Sequence, residues 1–454
     1  MEHLYTKYIY EHLSPEFENK EVEVFGLVKS NRNMGDIGFL TVDDGTTPLF
    51  VQVVYSAKQH PEYDGYKLGA SVHVKGKIHL TPEMKQPFEI QSDEIILVGD
   101  VDPSYPLQKK KTGFDLLRTM PTYRVRANTF TSVFRVRSAL SYAIHNYFHR
   151  NGYVNVHTPI FTGNDCEGAG EAFRVVTNMK EPDSYFNKPC SLTVSGQLHV
   201  EPFALEYQKV YTFGPTFRAE KSSTYRHAAE FWMIEPEIAF CHLDGLMDIM
   251  EDFLKSILKD TMAECKEDFA FFENRIDKTL VTRLNDFLNK DFARVTYTEA
   301  IDILTKAKEN GYKFQNDNIF WGMDLNSEHE KYLTEKHFNG PIFLYNYPKE
   351  IKAFYMKQND DGKTVAAADL LVPEIGELCG SSEREDDYDK LLQMMKDRDM
   401  AIESYQWYLD LRRMGGCYHS GFGLGFERFL MFITGITNIR DVLPYPRTYK
   451  EMLF

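Results

Sequence analysis

Short runs that alternate apolar and polar positions fill residues 21–100: EVEVFGLVKS, GFLTVDD, PLFVQVVY, ASVHVKGKI and FEIQSDEIILV, punctuated by Gly, Asp and Pro. A period of two puts every second side chain on one face, so these runs predict five half-buried strands. Five strands in roughly 80 residues predict a small closed barrel of the OB type, assigned to residues 1–102. Phe39 and Gln52 are its candidates for stacking on and hydrogen bonding to single-stranded nucleic acid, beside the plainer reading of a core phenylalanine. DPSYPLQKKKTGFDLLRTMPTY, with three prolines, breaks the alternation and predicts a hinge over 103–129.

From residue 130 the period lengthens. SVFRVRSALSYAIHNYFHRNGY predicts a long amphipathic helix ending near Gly152, and VNVHTPIF a strand leading to Pro159. KVYTFGPTFRAE and HAAEFWMIEPEIAF alternate like strands, LDGLMDIMEDFLKSILKDTMAE reads as a helix, and TVAAADLLVPEIGELCG follows a mixed region. DYDKLLQMMKDRDMAIESYQWYLDLRRMG predicts a helix, and SGFGLGFERFLMFITG a strand and turn entering a helix. Strands outside any regular βαβ rhythm predict an α+β domain on an antiparallel sheet, assigned to 130–454.

HAAEFWMIEPEIAF is the informative strand. Its even positions, Trp232, Ile234, Pro236, Ile238 and Phe240, form one apolar face; its odd positions, Phe231, Met233, Glu235, Glu237 and Ala239, put two carboxylates beside an aromatic. That odd face predicts either a polar site or a half-exposed sheet with solvated glutamates.

Composition narrows the classes. A chain of 454 residues predicts two or three domains. It has no run of 18 apolar residues and no basic, then apolar, N-terminal segment, so neither a membrane span nor a signal peptide is predicted and the cytoplasm is the expected location. Six dispersed cysteines without a CxxC pair argue against a zinc site or a disulfide framework. The net charge of −15 argues against indiscriminate nucleic-acid binding, although Lys109, Lys110, Lys111, Arg118, Arg124 and Arg126 form a local basic stretch, read as a solvated linker or a phosphate contact. Gly421, Gly423 and Gly425 do not make a dinucleotide fingerprint, because Phe426 and Arg428 stand where its third glycine would fall. A P-loop fails at Lys357. GFGLGFERFL remains as a small-residue approach to a helix whose Arg428 can face a nucleotide.

In order, these pieces resemble the class II aminoacyl-tRNA synthetases, and within them the asparaginyl branch of the aspartyl/asparaginyl/lysyl subgroup. Helix, strand and Pro159 (about 136–163) resemble motif 1, TFRAEKSSTYRHAAEFWMIEPE (within about 209–240) motif 2, and GFGLGFERFLMF (within about 419–435) motif 3. KYLTEKHF, YPKEIKAFYM and NIRDVLPYPRT also match, so the likeness covers essentially the whole chain. It implies ATP and Mg2+, with asparagine and tRNA(Asn) as substrates, a homodimer formed partly through motif 1, and residues 1–102 as the anticodon-binding domain.

The resemblance also implies roles. Arg218 matches the arginine on the α-phosphate, Glu220 the residue at the adenine edge, His227 a partner of the outer phosphates, Phe231 the aromatic on adenine, Gly425 and Arg428 the motif 3 nucleotide contacts, and Glu377 a magnesium ligand. Arg218, Glu377 and Arg428 would carry catalysis. Glu167, Ser195 and Gln197 match the cradle of the amino acid, Glu235 the residue facing its side chain, and Arg384 the donor to its side-chain oxygen. An aspartyl enzyme has a lysine where SGQLHV has Val200 and an aspartate where EFWMIE has Glu235; a carboxylate there accepts from a carboxamide and repels a carboxylate. GSSERE and RHAAEFW depart from the family's GGSQRE and RHLAEFW, adding Glu383 beside Arg384. The alternatives are an aspartyl or non-discriminating synthetase, an asparagine-making paralogue, which the barrel argues against, and a non-catalytic RNA-binding descendant, which the retained Arg218, Glu377 and Arg428 argue against.

Overall fold

The computed structural model describes residues 1–108, 112–164, 166 and 172–454, and no helix among them is long and apolar enough to cross a membrane. The chain divides into two compact units, Met1–Arg137 with Cys265–Arg275, and Ser138–Glu264 with Ile276–Phe454.

In the first unit all five predicted strands form: β1 Glu21–Asn33, β2 Ile37–Asp43, β3 Val51–Ser56, β4 Ser71–Leu80 and β5 Phe88–Gly99. They run in the order β1-β2-β3-β5-β4, and β1 pairs again with β4, which closes the barrel and leaves no open edge among the five. Their inward positions, among them Val24, Leu40, Val53, Val74 and Ile90, are wholly buried. Phe39 and Gln52 point the other way: Phe39 is paired with Val54 and Gln52 with Thr41, and both are half-buried. Residues 103–129 are more structured than a bare hinge. Short helices at Phe114–Arg118 and Pro121–Arg124 bring Leu117 against Leu107 and Phe130 in a small core. Arg124 is wholly buried, 4.6 Å over the Phe130 ring, so the reading of it as a phosphate contact is corrected; Arg118 pairs with Asp115 at 2.6 Å, and Lys109, Lys110 and Lys111 lie outside the described residues.

The predicted long helix is α1, Asn128–Arg150, followed by Gly152 at φ 77, a left-handed position that glycine reaches without a Cβ penalty. The second unit is built on eight strands: β6 Val154–Asn155, β7 Lys209–Phe217, β8 Glu230–Ala239, β9 Ala293–Thr296, β10 Ile342–Pro348, β11 Thr364–Val372, β12 Gly376–Glu383 and β13 His419–Gly425. Their order is β9-β10-β11-β12-β13-β8-β7-β6. The six central strands are antiparallel, as expected, but both edge pairings are parallel, so the sheet is mixed. Helix α2, Gln197–Tyr207, packs on β7 and β8, and α3, Leu243–Glu264, buries Leu246, Met250, Phe253, Leu254 and Ile257 at helical spacing.

Four local expectations are corrected. VNVHTPIF pairs with the main sheet only at Val154–Asn155; Phe161–Thr162 joins Ser191–Leu192 in a separate two-stranded antiparallel sheet, and Pro159, which lacks an N–H, lies between the two paired stretches 154–155 and 161–162. The predicted helix after Asp387 is two, α4 Tyr388–Lys396 and α5 Ile402–Asp410, parted near Asp399 at φ 52. The Gly421–Gly425 segment is a strand, not a turn, and Gly425 serves directly as the N-cap of α6, Phe426–Thr434, whose Phe429, Leu430, Phe432 and Ile433 are buried. Phe240 leaves the apolar face of β8: at φ 57 it turns out of the strand and is 56% exposed, while Trp232 on the same face is 38% exposed.

Candidate active site

Strand β8 lies between β7 and β13, so its odd face opens onto both neighbours. Phe231, Met233, Glu235 and Glu237 line a cleft whose other walls come from β12, β13, α6 and the loop after β7. The glycines of β13 make room for them. A Cβ on Gly421 would overlap the Glu237 carboxylate and the Pro236 carbonyl, and one on Gly423 would come within 2.9 Å of Met233 Cε. Gly421 is thus required by packing against β8.

Every residue read as touching ATP or the amino acid lines this one cleft, save Glu167, which lies outside the described residues. At one end Arg218 and Glu220 stand just beyond β7 rather than on its face, because the strand stops at Phe217. The Arg218 backbone N–H donates to Ala229 O at 3.0 Å, and its guanidinium sits 5.3 Å over the Phe231 ring. His227 Nδ1 meets the Ser222 hydroxyl at 3.1 Å, with Nε2 3.7 Å from Glu220; enclosure pushes its pKa down against the pull of Glu220. Arg428, in the first turn of α6, donates to Glu377 O at 3.3 Å.

The middle of the cleft is acidic. Glu377 is open to solvent inside the cleft yet ringed by protein, and that enclosure, then the Asp369 carboxylate, pushes its pKa up despite Arg428 and Lys352. Asp369, on wholly buried β11, pairs with Lys352 Nζ at 2.5 Å, and Lys352 lies 3.8 Å over the Tyr347 ring. Glu330 stands behind, pushed up to about 7 by burial and by Glu377 and Asp369. A regular strand would put Glu377 and Arg384, seven residues apart, on opposite faces. The register between β11 and β12 shifts between Leu370 and Leu371: Asp369 faces Gly380 while Leu371 faces Glu377, so Leu378 is an extra residue and both side chains reach the cleft.

The other end is buried and polar. Ser195 Oγ donates to one oxygen of Glu235, and Gly196 N to the other at 2.8 Å. Burial pushes the Glu235 pKa up, against these two bonds and the positive charges of Arg218 and Arg384. Arg384 is held by Glu237 through Nε at 3.2 Å and through Nη2, donates from Nη1 to Ser382 Oγ at 2.6 Å, and lies 5.2 Å over the Tyr355 ring. Glu237 also lines the cleft and clamps the arginine. Gln197 donates to Glu201 at 3.1 Å; burial opposes the ionisation of Glu201, yet His419, Arg412 and Arg384 outweigh it and hold its pKa below the usual carboxylate range.

Two sequence differences resolve in the geometry. Glu383 does not disturb Arg384, because it points to the opposite face, accepting from His242 at 3.0 Å and from Leu243 N at 3.3 Å and pairing with Lys357 at 3.1 Å. Val200 does not line the cleft; it is wholly buried with Val156, Ala204 and Val210. Asp369, Lys352 and Tyr355 carried no sequence role, although Asp369 left a signal: a single carboxylate in the otherwise apolar run TVAAADLLV.

Comparison with known proteins gives the family and the fold. Residues 115–449 match the family described as class II tRNA synthetases (D, K and N), and residues 22–98 match the OB-fold nucleic acid binding domain. The asparagine–tRNA ligase of Clostridium beijerinckii is 51% identical over 447 residues, covering 95% of this chain and 96% of that protein; that of Bacillus cytotoxicus is 48% identical over 466 aligned residues, covering 99% of each. The crystal structure of asparaginyl-tRNA synthetase from Pyrococcus horikoshii complexed with asparaginyl-adenylate superposes with a TM-score of 0.87 at 32% identity, covering 99% of this chain and 98% of that one.

Proposed function

The chain belongs to the class II tRNA synthetases of the D, K and N group, and from that premise we propose that it is an asparagine–tRNA ligase, working through an asparaginyl-adenylate. The observation that carries asparagine over aspartate is that Arg384, a donor, and Glu235, an acceptor, both line the buried end of one cleft. A carboxamide has an oxygen that accepts and an NH2 that donates; Arg384, only a donor, suits the oxygen, and Glu235, when ionised only an acceptor, suits the NH2. An aspartate carboxylate in that place would face Glu235 with like charge.

In the first step an oxygen of the asparagine α-carboxylate attacks the α-phosphorus of ATP; the new O–P bond forms as the bond to pyrophosphate breaks, and no protein nucleophile is needed. The residues supply position and charge. Arg218 neutralises the α-phosphate and the attacking carboxylate, adenine lies on Phe231 with Glu220 at its edge and the Gly425 backbone close by, His227 meets the outer phosphates, and Arg428 lies against the nucleotide. Ser195, Gln197 and Glu167 take the amino acid. Glu377 and Asp369, two carboxylates in one cleft, suit a hard cation, and bound Mg2+ would offset the charge of the phosphates. In the second step the terminal adenosine of tRNA(Asn) attacks the adenylate through a hydroxyl, releasing AMP.

Residues 1–102 read the anticodon, 103–129 connect, and 130–454 catalyse. Phe39 stacks on a base and Gln52 hydrogen bonds to one, a reading supported by the half-buried position of both; base stacking contributes about 1–3 kcal/mol. A Phe39→Ala variant is expected to lose about 5- to 150-fold in kcat/KM for tRNA, with tRNA-independent exchange unchanged; equal loss in both assays would remove Phe39 from this role. Exposed Tyr142, Val154, Phe203 and Tyr207 in the second unit support a homodimer through the motif 1 side, and a cytoplasmic location follows the family reading.

ATP–pyrophosphate exchange, run with asparagine and aspartate in parallel, tests the whole. Exchange with asparagine is expected to exceed that with aspartate by at least about 10³-fold. Exchange with aspartate alone would overturn the assignment, and none with either would favour a binding protein.

A further inference from the structure

Glu201 does not itself line the cleft, but it is bonded to Gln197, which does. It is wholly buried on α2, one turn beyond Gln197, and four donors converge on it. One oxygen accepts from Gln197 Nε2 at 3.1 Å and from the Tyr408 hydroxyl at 2.8 Å; the other accepts from His419 Nε2 at 3.0 Å and from Arg412 Nη2 at 3.2 Å. Four bonds fill the lone-pair capacity of a carboxylate. His419, Glu201 and Glu237 also bring ligand-type atoms within 4.8 Å of one another, but with Arg384 and Arg412 bonded to the two carboxylates this cluster already carries its positive charge and leaves no call for a metal ion.

The direction of the bond to Gln197 matters. An ionised carboxylate cannot donate, so the amide must turn its NH2 toward Glu201, which leaves Gln197 Oε1 as the atom offered to the cleft. An oxygen there attracts an ammonium group; an NH2 would repel it. We propose that Glu201 is a positioning residue that fixes the polarity of Gln197 and so selects for the α-ammonium group of the amino acid. This rests on the reading of the cleft as an asparagine site.

Glu201→Gln is the informative change because the network can absorb it everywhere but at Gln197. The new amide can keep its oxygen on His419 and Arg412 and turn its NH2 to Tyr408, whose oxygen already accepts from Arg412 Nη2 at 3.0 Å and has a second lone pair to offer once its own hydrogen turns away. Gln197 must then flip its oxygen inward and present NH2 to the cleft. The probe is succinamate, which is asparagine without its α-amino group, measured as an inhibitor of asparagine-dependent ATP–pyrophosphate exchange by the full chain. In Glu201→Gln the preference for asparagine over succinamate, Ki over KM, is expected to fall at least about tenfold, since a hydrogen bond to a charged group is lost, with KM for ATP unchanged. The double exchange Glu201→Gln with Gln197→Glu restores an acceptor toward the cleft and is expected to bring the preference back to the wild-type value or above. A purely structural role would weaken both ligands together and show no such recovery. A ratio within twofold of wild type in folded Glu201→Gln, loss of preference in the double exchange, or a wild-type preference below tenfold would each overturn the inference. Persisting asparagine-dependent exchange in those cases would leave the ligase reading standing, whereas its absence in the wild type would fell that reading itself.

Discussion

Replacing Arg218 by Met is expected to lower kcat for asparagine-dependent ATP–pyrophosphate exchange by about 10³-fold, because a preorganised donor aimed at charge that builds up in the transition state is worth about that much. The carboxylate attacking phosphorus brings two negative groups together, and in the proposed reaction Arg218, which lines the cleft with its guanidinium over Phe231, is the cation that meets them. The loss should fall mainly on kcat rather than on KM for ATP, since the demand for charge is greatest as the bond forms. Arg218→Lys should recover little, because an ammonium is a point charge without the planar fork. Thermal unfolding separates this from misfolding: the residue is only half-buried, and the folded state should survive its truncation. A loss below tenfold in a folded Met variant would remove Arg218 from the reaction.

Glu235→Gln is expected to shift selectivity toward aspartate by about a hundredfold, comparing kcat/KM for asparagine with that for aspartate. The carboxylate is held by donors on both oxygens, from Ser195 and from the Gly196 backbone. Glutamine can satisfy Gly196 only with its oxygen, so its NH2 falls on the Ser195 side, where the hydroxyl can reverse to accept. The like charge that repels aspartate is then gone, and so is half of the acceptor surface for the asparagine NH2. Discrimination should also depend on pH. Burial has raised the Glu235 pKa, so acidification protonates it sooner than an exposed glutamate, and discrimination against aspartate should weaken as pH falls. Selectivity that is flat with pH and unchanged in the glutamine variant would place the choice of amino acid elsewhere. The substitution of lysine at Val200, suggested by the aspartyl pattern, is a poor companion change, because that side chain belongs to an apolar cluster.

What the chain disclosed in advance depended on how local the determinant was. The alternation along 231–237 put the four cleft side chains on one face, because a face is a property of one strand, although Trp232 on the other face is exposed rather than core. The five barrel strands were readable for the same reason. It failed where a partner from elsewhere decides the outcome. Glu237 could be placed on the right face, but its role needed Arg384, 147 residues away, to be seen beside it. Phe240 obeyed the alternation in sequence and broke it in space through a single positive φ. Arg124 read as one of a basic run and is buried over Phe130. Asp369 was legible as an oddity, a charge in an apolar strand, but only its closeness to Glu377 and Lys352 gives that oddity a use.

The extra residue at Leu378 bears on how such sites are to be searched for. Glu377 and Arg384 share a face across an odd interval only because one residue between them is not counted by the ladder. A chain lacking that residue, with its glutamate six positions before the arginine in an unbroken strand, would present the same two groups to the same cleft. A fixed-gap pattern would accept one and reject the other, and would also accept a seven-residue gap in a strand with no irregularity, where the glutamate faces away. The quantity preserved between the two workable chains is the number of paired positions, and an alignment that places its gap anywhere but at the unpaired residue would assign the wrong carboxylate.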